Sequence, residues 1–137
     1  MTWLTSLIMK TEKTLNGECL CGDVSWKMNG PYEFFGMCQC SRCRKITGAA
    51  FATNLFVKPE QFSWLSGENK RGIFALPSPN TFGNAFCQNC GSRVPRQTPK
   101  GWMLLPLGSS MKSPSIKPTL VCPEDHTDWF TRLKEIV

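Results

Sequence analysis

Cys38-Gln39-Cys40-Ser41-Arg42-Cys43 is the stretch from which this chain is best read. It packs three thiols into a C-x-C-x-x-C run. Working outward, Cys19 and Cys21 form a C-x-C followed by Gly22, and Cys87 and Cys90 form a C-x-x-C followed by Gly91; Cys122 stands alone. Zinc favours soft thiolates at tetrahedral positions, with Zn–S near ~2.3 Å, which places ligand sulfurs under about 4 Å apart. Short local spacings bring sulfurs that close without help from the rest of the fold. The two pairs make one four-thiolate set, and the triple makes a second set one ligand short. A closed set holds structure, whereas an open one can take a substrate.

A disulfide framework is the competing reading of eight cysteines, since small secreted proteins are often rich in them. The clustering argues against it, because neighbours in C-x-C are poorly placed for the narrow geometry of a disulfide. Met1 to Met9 has no cationic leader and no small-residue cleavage pattern. No apolar run approaches the ~20 residues of a membrane span. The expectation is a cytoplasmic, reducing location with thiols kept for metal or catalysis. Residues 1–12 are expected to be an N-terminal extension and residues 13–137 a single domain.

The formal charge of +6 invites a nucleic-acid reading. Seven ionised thiols and two zinc ions would bring it to about +3. The basic residues are scattered, apart from Arg42, Arg44 and Lys45 beside the triple cluster, and no basic run is interleaved with aromatics. Nucleic acid is therefore disfavoured as a partner, and so is a membrane.

The remaining pattern is many short strands. Cys19–Lys27, broken by Gly22, and Glu33–Met37, Ala50–Val57, Phe62–Leu65, Arg71–Leu76, Thr81–Phe86, Trp102–Leu107 and Lys117–Val121 read as extended segments, separated by turn residues such as Pro77-Ser78-Pro79-Asn80. Only Ser41–Thr47 and Asp128–Ile136 suit short helices. Ten prolines and eleven glycines fit a mainly β, turn-rich fold. A metal held by the two outer cysteine pairs would pin the start of the domain to its middle.

Three segments together carry a resemblance: GECLCG at 17–22, CQCSRCRKITGAAF at 38–51 and FCQNCGS at 86–92. In order and spacing they resemble the signatures of the glutathione-dependent formaldehyde-activating enzyme family, which includes centromere protein V. The likeness covers roughly residues 14–108. It implies a β-tent fold of small antiparallel sheets with bound zinc and little helix. It implies two zinc ions per chain: a structural one on Cys19, Cys21, Cys87 and Cys90, and a catalytic one on Cys38, Cys40 and Cys43 with an exchangeable fourth position. The implied activity is that of a carbon–sulfur lyase on a small thiol–aldehyde adduct, the type being S-(hydroxymethyl)glutathione, with glutathione or its adduct as partner. A non-catalytic zinc-stabilised binding module, as the centromere-protein relatives suggest, is the alternative. Where family members commonly carry a late histidine-containing strand, this chain has Lys117-Pro118-Thr119-Leu120-Val121-Cys122.

The chemistry of the residues agrees. A three-thiolate zinc keeps one position for water or a thiolate and lowers the pKa of a bound thiol. Arg42, Arg44 and Lys45 are candidates to attract a substrate carboxylate, set against ordinary surface charge. Ser41 and Thr47 are expected in capping and turn roles. Phe34, Phe35, Phe51, Phe56, Trp64, Phe74, Phe86 and Trp102 are expected in the core rather than on a substrate platform. Gly22 and Gly91 are expected to let the backbone turn around a metal. His126, the only histidine, sits in a solvated acidic turn. Cys122 is expected to be an inert buried thiol closing a strand, the other reading being a fourth ligand to the open zinc.

Overall fold

A computed structural model describes residues 14–77 and 82–136. The expected extension at residues 1–12, and Ser78, Pro79 and Asn80 of the proline-rich turn, lie outside the described residues. In chain order the strands are β1 (Leu15–Glu18), β2 (Ser25–Met28), β3 (Phe34–Cys38), β4 (Ala52–Val57), β5 (Phe62–Ser66), β6 (Arg71–Ala75), β7 (Gly83–Cys87), β8 (Arg96–Gln97), β9 (Met103–Pro106) and β10 (Thr119–Val121). Among the described residues one short α-helix, α1 (Ser41–Thr47), interrupts them between β3 and β4. They form three small sheets, ordered β1-β2-β5, β10-β3-β4-β9-β8 and β6-β7. Mainly β with little helix is thus the observed class.

The break expected at Gly22 within Cys19–Lys27 is a tight turn, Cys19–Val24, between β1 and β2, which starts at Ser25. Cys19 donates its N–H to the Val24 carbonyl at 2.9 Å, and Gly22 takes a φ of +84°, where a side chain would be strained. Strand pairing begins on either side, with Leu15 opposite Met28 and Glu18 opposite Ser25. The sheets are antiparallel except at β10, which runs parallel to β3 with Val121 opposite Cys38; a long connection from β9 permits that direction. The expected helix at Asp128–Ile136 is a 3-10 run over Phe130–Glu135. The two-residue β8 carried too little pattern to be read in advance.

The large central sheet decides where the chemistry sits. In a strand successive side chains point to opposite faces, and directly paired residues share a face. Leu55 and Val57 on β4 and Met103 and Leu105 on β9 point into the main core, together with Trp26, Met28 and Val24 from the first hairpin. Trp26, Met28, Leu55, Val24 and Val57 are fully buried, each stabilising the fold by roughly 1.5–3 kcal/mol. Gly17 faces Trp26 across β1–β2, and a Cβ there would lie 2.5 Å from the indole, so glycine is required for the ring to lie flat on the strand. The opposite face of the same sheet carries Phe34, Gly36 and Cys38 on β3, Ala52, Asn54 and Phe56 on β4, Leu104 on β9 and Arg96 on β8. Cys38, Cys43 and Ala52 form a second, smaller apolar cluster, with Cys40, Phe82 and Val121 packed against it.

Candidate metal centres

The sulfurs of Cys19, Cys21, Cys87 and Cys90 all lie within 4.8 Å of one another. Cys21 Sγ is 3.6 Å from Cys19 Sγ and 3.7 Å from Cys87 Sγ. The edge of a zinc–thiolate tetrahedron is about 3.8 Å, so the spacing suits a four-coordinate ion. Each pair sits on a glycine-ended turn. Gly22 N–H donates to the Cys19 carbonyl at 3.1 Å and Gly91 N–H to the Cys87 carbonyl at 2.8 Å, with φ of +84° and +78° at the two glycines. These turns aim both sulfurs of a pair to one side, as expected of Gly22 and Gly91. The Val24 N–H donates to Cys19 Sγ at 3.3 Å, fixing the sulfur's position in the turn.

Ser92 joins the halves in a way the sequence did not reveal. Its hydroxyl accepts from the Leu20 N–H at 3.0 Å and lies 3.2 Å from Cys90 Sγ. That hydroxyl, then the Ser92 N–H and the Cys21 N–H, hold the Cys90 thiol down to about 5. Cys21 moves the other way: the Asp23 backbone and the Asn89 side chain pull it down, but burial and the Cys19 and Cys90 sulfurs leave it raised to about 11. Sulfurs this close cannot all ionise unless a cation shares the space, and four thiols at tetrahedral spacing fit one soft divalent ion.

The second set forms on the turn from β3 into α1. Cys38 ends the strand, Cys40 is the N-cap residue, and Cys43 lies in the first turn of the helix. Cys40 Sγ accepts the Cys43 N–H at 3.4 Å, so Cys40 and not Ser41 caps this helix. Thr47 Oγ1 donates to the Cys43 carbonyl at 2.7 Å near the other end. The three sulfurs are mutually within 4.8 Å, and among the described residues no fourth cysteine, histidine, aspartate or glutamate joins them. Burial tends to raise the Cys40 thiol, but the Cys43 N–H and hydrogen bonds from Cys38, Cys43 and Arg42 leave it lowered. Burial first, then the Cys38 and Cys40 sulfurs, push Cys43 far up. This is again a donor set that needs a cation to ionise fully.

The cations around this set are not all those expected. Arg44 turns inward and donates from Nε to the Gln39 carbonyl at 3.1 Å, bracing the loop, and Lys45 is exposed. Arg42 reaches over the Phe82 ring at 5.5 Å. Arg93 and Arg96, unremarked in the sequence because they lie fifty residues away in the chain, come close enough for the sulfur charges to act on both. Burial lowers the pKa of each guanidinium, opposed by Cys43. Arg93 Nε donates to Asn84 Oδ1 at 2.9 Å, whereas Arg96 Nε is buried with no hydrogen-bond partner.

A cavity of about 340 Å³ opens here, walled by Arg42, Arg96 and Lys100 with Phe56, Phe82 and Trp102. A second recess of about 420 Å³ continues from it along Phe34, Phe56 and Trp102, with Glu33 on its wall. Phe34, Phe56 and Trp102 were expected in the core; they flank open space because they lie on the cysteine face of the central sheet, away from the main core. Asn54, on that face, is 8% exposed and its Oδ1 has no partner. Cys122 is half-buried rather than buried, with a φ of +53°. Its sulfur belongs to neither cysteine set, lying instead beside the exposed Glu124 and Asp125. His126 is exposed, with Nδ1 2.8 Å from the Thr127 carbonyl.

Small β-sheets carrying a closed four-cysteine set and a three-cysteine set beside a cationic cavity define a protein with two sites able to hold metal ions. The family described as glutathione-dependent formaldehyde-activating enzyme matches residues 14–126, and the chain belongs to that family. A crystal structure of a Rhodobacter sphaeroides protein shares the fold, with a TM-score of 0.56 at 18% identity over 75% of this chain and 97% of that one. No curated protein sequence matches the chain. No helix among the described residues is long and apolar enough to cross a membrane.

Proposed function

We propose that this protein is a zinc-dependent carbon–sulfur lyase acting on a small thiol–aldehyde adduct of the S-(hydroxymethyl)glutathione type. The observation that carries the reading is the contrast between the two cysteine sets: the one that ties distant strands together has four sulfurs, and the one packed under Phe82, a wall of the cationic cavity, has three. Family membership supports the choice of chemistry. Cys19, Cys21, Cys87 and Cys90 would hold a structural zinc, and Cys38, Cys40 and Cys43 a second zinc at the reaction site. Bound there, zinc would supply a Lewis-acidic position that favours the ionised form of a substrate sulfur.

Cleavage of the adduct breaks its carbon–sulfur bond, turns the carbinol into an aldehyde and carries the hydroxyl proton, in net, to the sulfur. No redox partner is needed. Arg42, Arg96 and Lys100 hold the carboxylate of the thiol component, fixing its position beside the cysteines. Asn54 Oδ1, unpartnered on the same sheet face as Cys38, accepts the adduct hydroxyl and orients the carbon–oxygen bond. Phe82 and the helix turn exclude water on the sulfur side. A non-catalytic binding module would be better served by a closed second site.

Exchange between formaldehyde and glutathione, followed by two-dimensional exchange NMR, tests the proposal. Zinc-replete protein should accelerate interconversion of the adduct and the free thiol, and Cys40→Ser should abolish the acceleration while the protein stays folded. An uncatalysed rate with zinc-replete, folded protein would rule the activity out for this adduct.

A further inference from the structure

The cavity beside the three cysteines is larger and more aromatic than a one-carbon carbonyl needs. Its geometry follows from strand register. Phe34 pairs with Phe56, Phe56 with Leu104, and Leu104 with Arg96, so these side chains form one row across the cysteine face of the sheet. At one end of the row stands the Arg96 guanidinium, with its Nε buried and unpartnered and with Arg42 and Lys100 on the same cavity wall. At the other end the Phe34 and Phe56 rings meet at 5.5 Å, tilted by 55°, and with Trp102 they enclose a mostly apolar recess of about 420 Å³. That volume lies within the usual range for organic ligands, roughly 300–1,000 Å³.

Phe56 and Trp102 line both the cationic cavity and the recess, so one ligand can span them. The cysteine cluster lies on the cationic side, reached through Phe82, which packs against Cys38 and Cys43 and beneath Arg42. An apolar wall beside a half-buried guanidinium whose Nε lacks a partner suits an amphipathic carboxylate, whose anion pairs with Arg96 while its apolar body displaces water from the rings.

We propose that this pocket selects adducts joining a carboxylate to an aryl-sized apolar group, so that the carbonyl component released is larger and more apolar than formaldehyde. The proposal rests on the lyase reading for its chemistry, but the pocket itself can be probed without a thiol. Arg96 and Lys100 set the anion end of the specificity, and Phe34, Phe56 and Trp102 the apolar end.

The test uses full-length, zinc-replete protein and three thiol-free probes: 3-phenylpropanoate, propanoate and 3-phenylpropan-1-ol. By isothermal titration calorimetry, 3-phenylpropanoate should bind at least about tenfold more tightly than either of the others, because each lacks one half of the recognised pair. Trp102→Ala and Lys100→Gln should each weaken it about fivefold or more. Both sit at the cavity wall, and circular dichroism checks that they fold. Arg96→Gln should weaken it most. Equal affinity for propanoate would overturn the apolar half, equal affinity for the alcohol the anionic half, and no saturable binding at about 10 mM the whole. Cys40→Ser separates this from the lyase reading: it should leave 3-phenylpropanoate affinity intact while abolishing thiol exchange. With activity present, the zinc-replete protein should cleave the glutathione adduct of phenylacetaldehyde with at least about tenfold higher kcat/KM than the formaldehyde adduct. The opposite preference would refute the proposed carbonyl specificity even if the probe binds.

Discussion

Replacing Cys87 by serine should destabilise the protein far more than the same change at Cys40. Cys87 is 1% exposed at the end of β7, and its sulfur lies 3.7 Å from that of Cys21, 66 residues earlier. A metal on this set closes a loop of that length. By loop-closure entropy a cross-link of this size restricts the unfolded chain by about 4 kcal/mol. A weakened three-ligand site would keep part of this, so we expect a loss of about 2–4 kcal/mol. For a chain of this length that is a fall in Tm of about 8–15 °C. Cys40, by contrast, shares its set only with Cys38 and Cys43, its near neighbours in the chain, so no distant segments come free. Its sulfur also accepts the Cys43 N–H as the helix N-cap, a role that serine performs well. Cys40→Ser should therefore lower stability by under about 1 kcal/mol. Thermal unfolding of the two metal-loaded variants, followed by circular dichroism, reads the difference. Equal falls in Tm, or a larger fall for Cys40→Ser, would refute the division into a structural and a reactive site.

Protein purified without chelator should carry two metal ions per chain, and mild chelation should strip the three-cysteine site first, having fewer protein ligands; one ion per folded, reduced chain, or simultaneous loss of both, would contradict this. Gly67→Ala should destabilise by more than about 2 kcal/mol, because its φ is +78° and a Cβ would collide with the Asp23 carbonyl oxygen. Gly48→Ala, at a φ of +64° but with open space around it, should cost only about 1 kcal/mol; urea midpoints that place the two together would show the collision is relieved. In metal-free, reduced protein, Cys90, held near 5, stays ionised at neutral pH, while Cys21, raised to about 11, stays protonated. Iodoacetamide at pH 7 should therefore modify Cys90 well before Cys21, and peptide mass spectra showing the reverse order would count against the assigned hydrogen bonds.

The cysteine groupings were legible because their geometry is local. C-x-C and C-x-x-C turns ending in glycine aim two sulfurs to one side whatever surrounds them, and the C-x-C-x-x-C run builds its site from one strand end and one helix turn. Most strands were legible for a similar reason, since alternation and turn residues act over a few positions. The break at Gly22 within Cys19–Lys27 was legible because a glycine directly after the C-x-C marks a turn whatever the β-propensity around it.

Sequence alone therefore determined the donor sets, the mainly β class and the family. Tertiary structure decided which residues surround the second site. Arg96 enters through pairing of β8 with β9, and Phe34 and Phe56 reach the cavity through the register of β3 and β4. Their side of the sheet depends on which face the main core occupies, and a shift of one residue would invert it. No local pattern specifies that choice. It follows from long-range packing of Leu55, Val57 and Leu105 against Trp26 and Met28, which buries one face of the sheet and leaves the other for the cysteines, the arginines and the cavity.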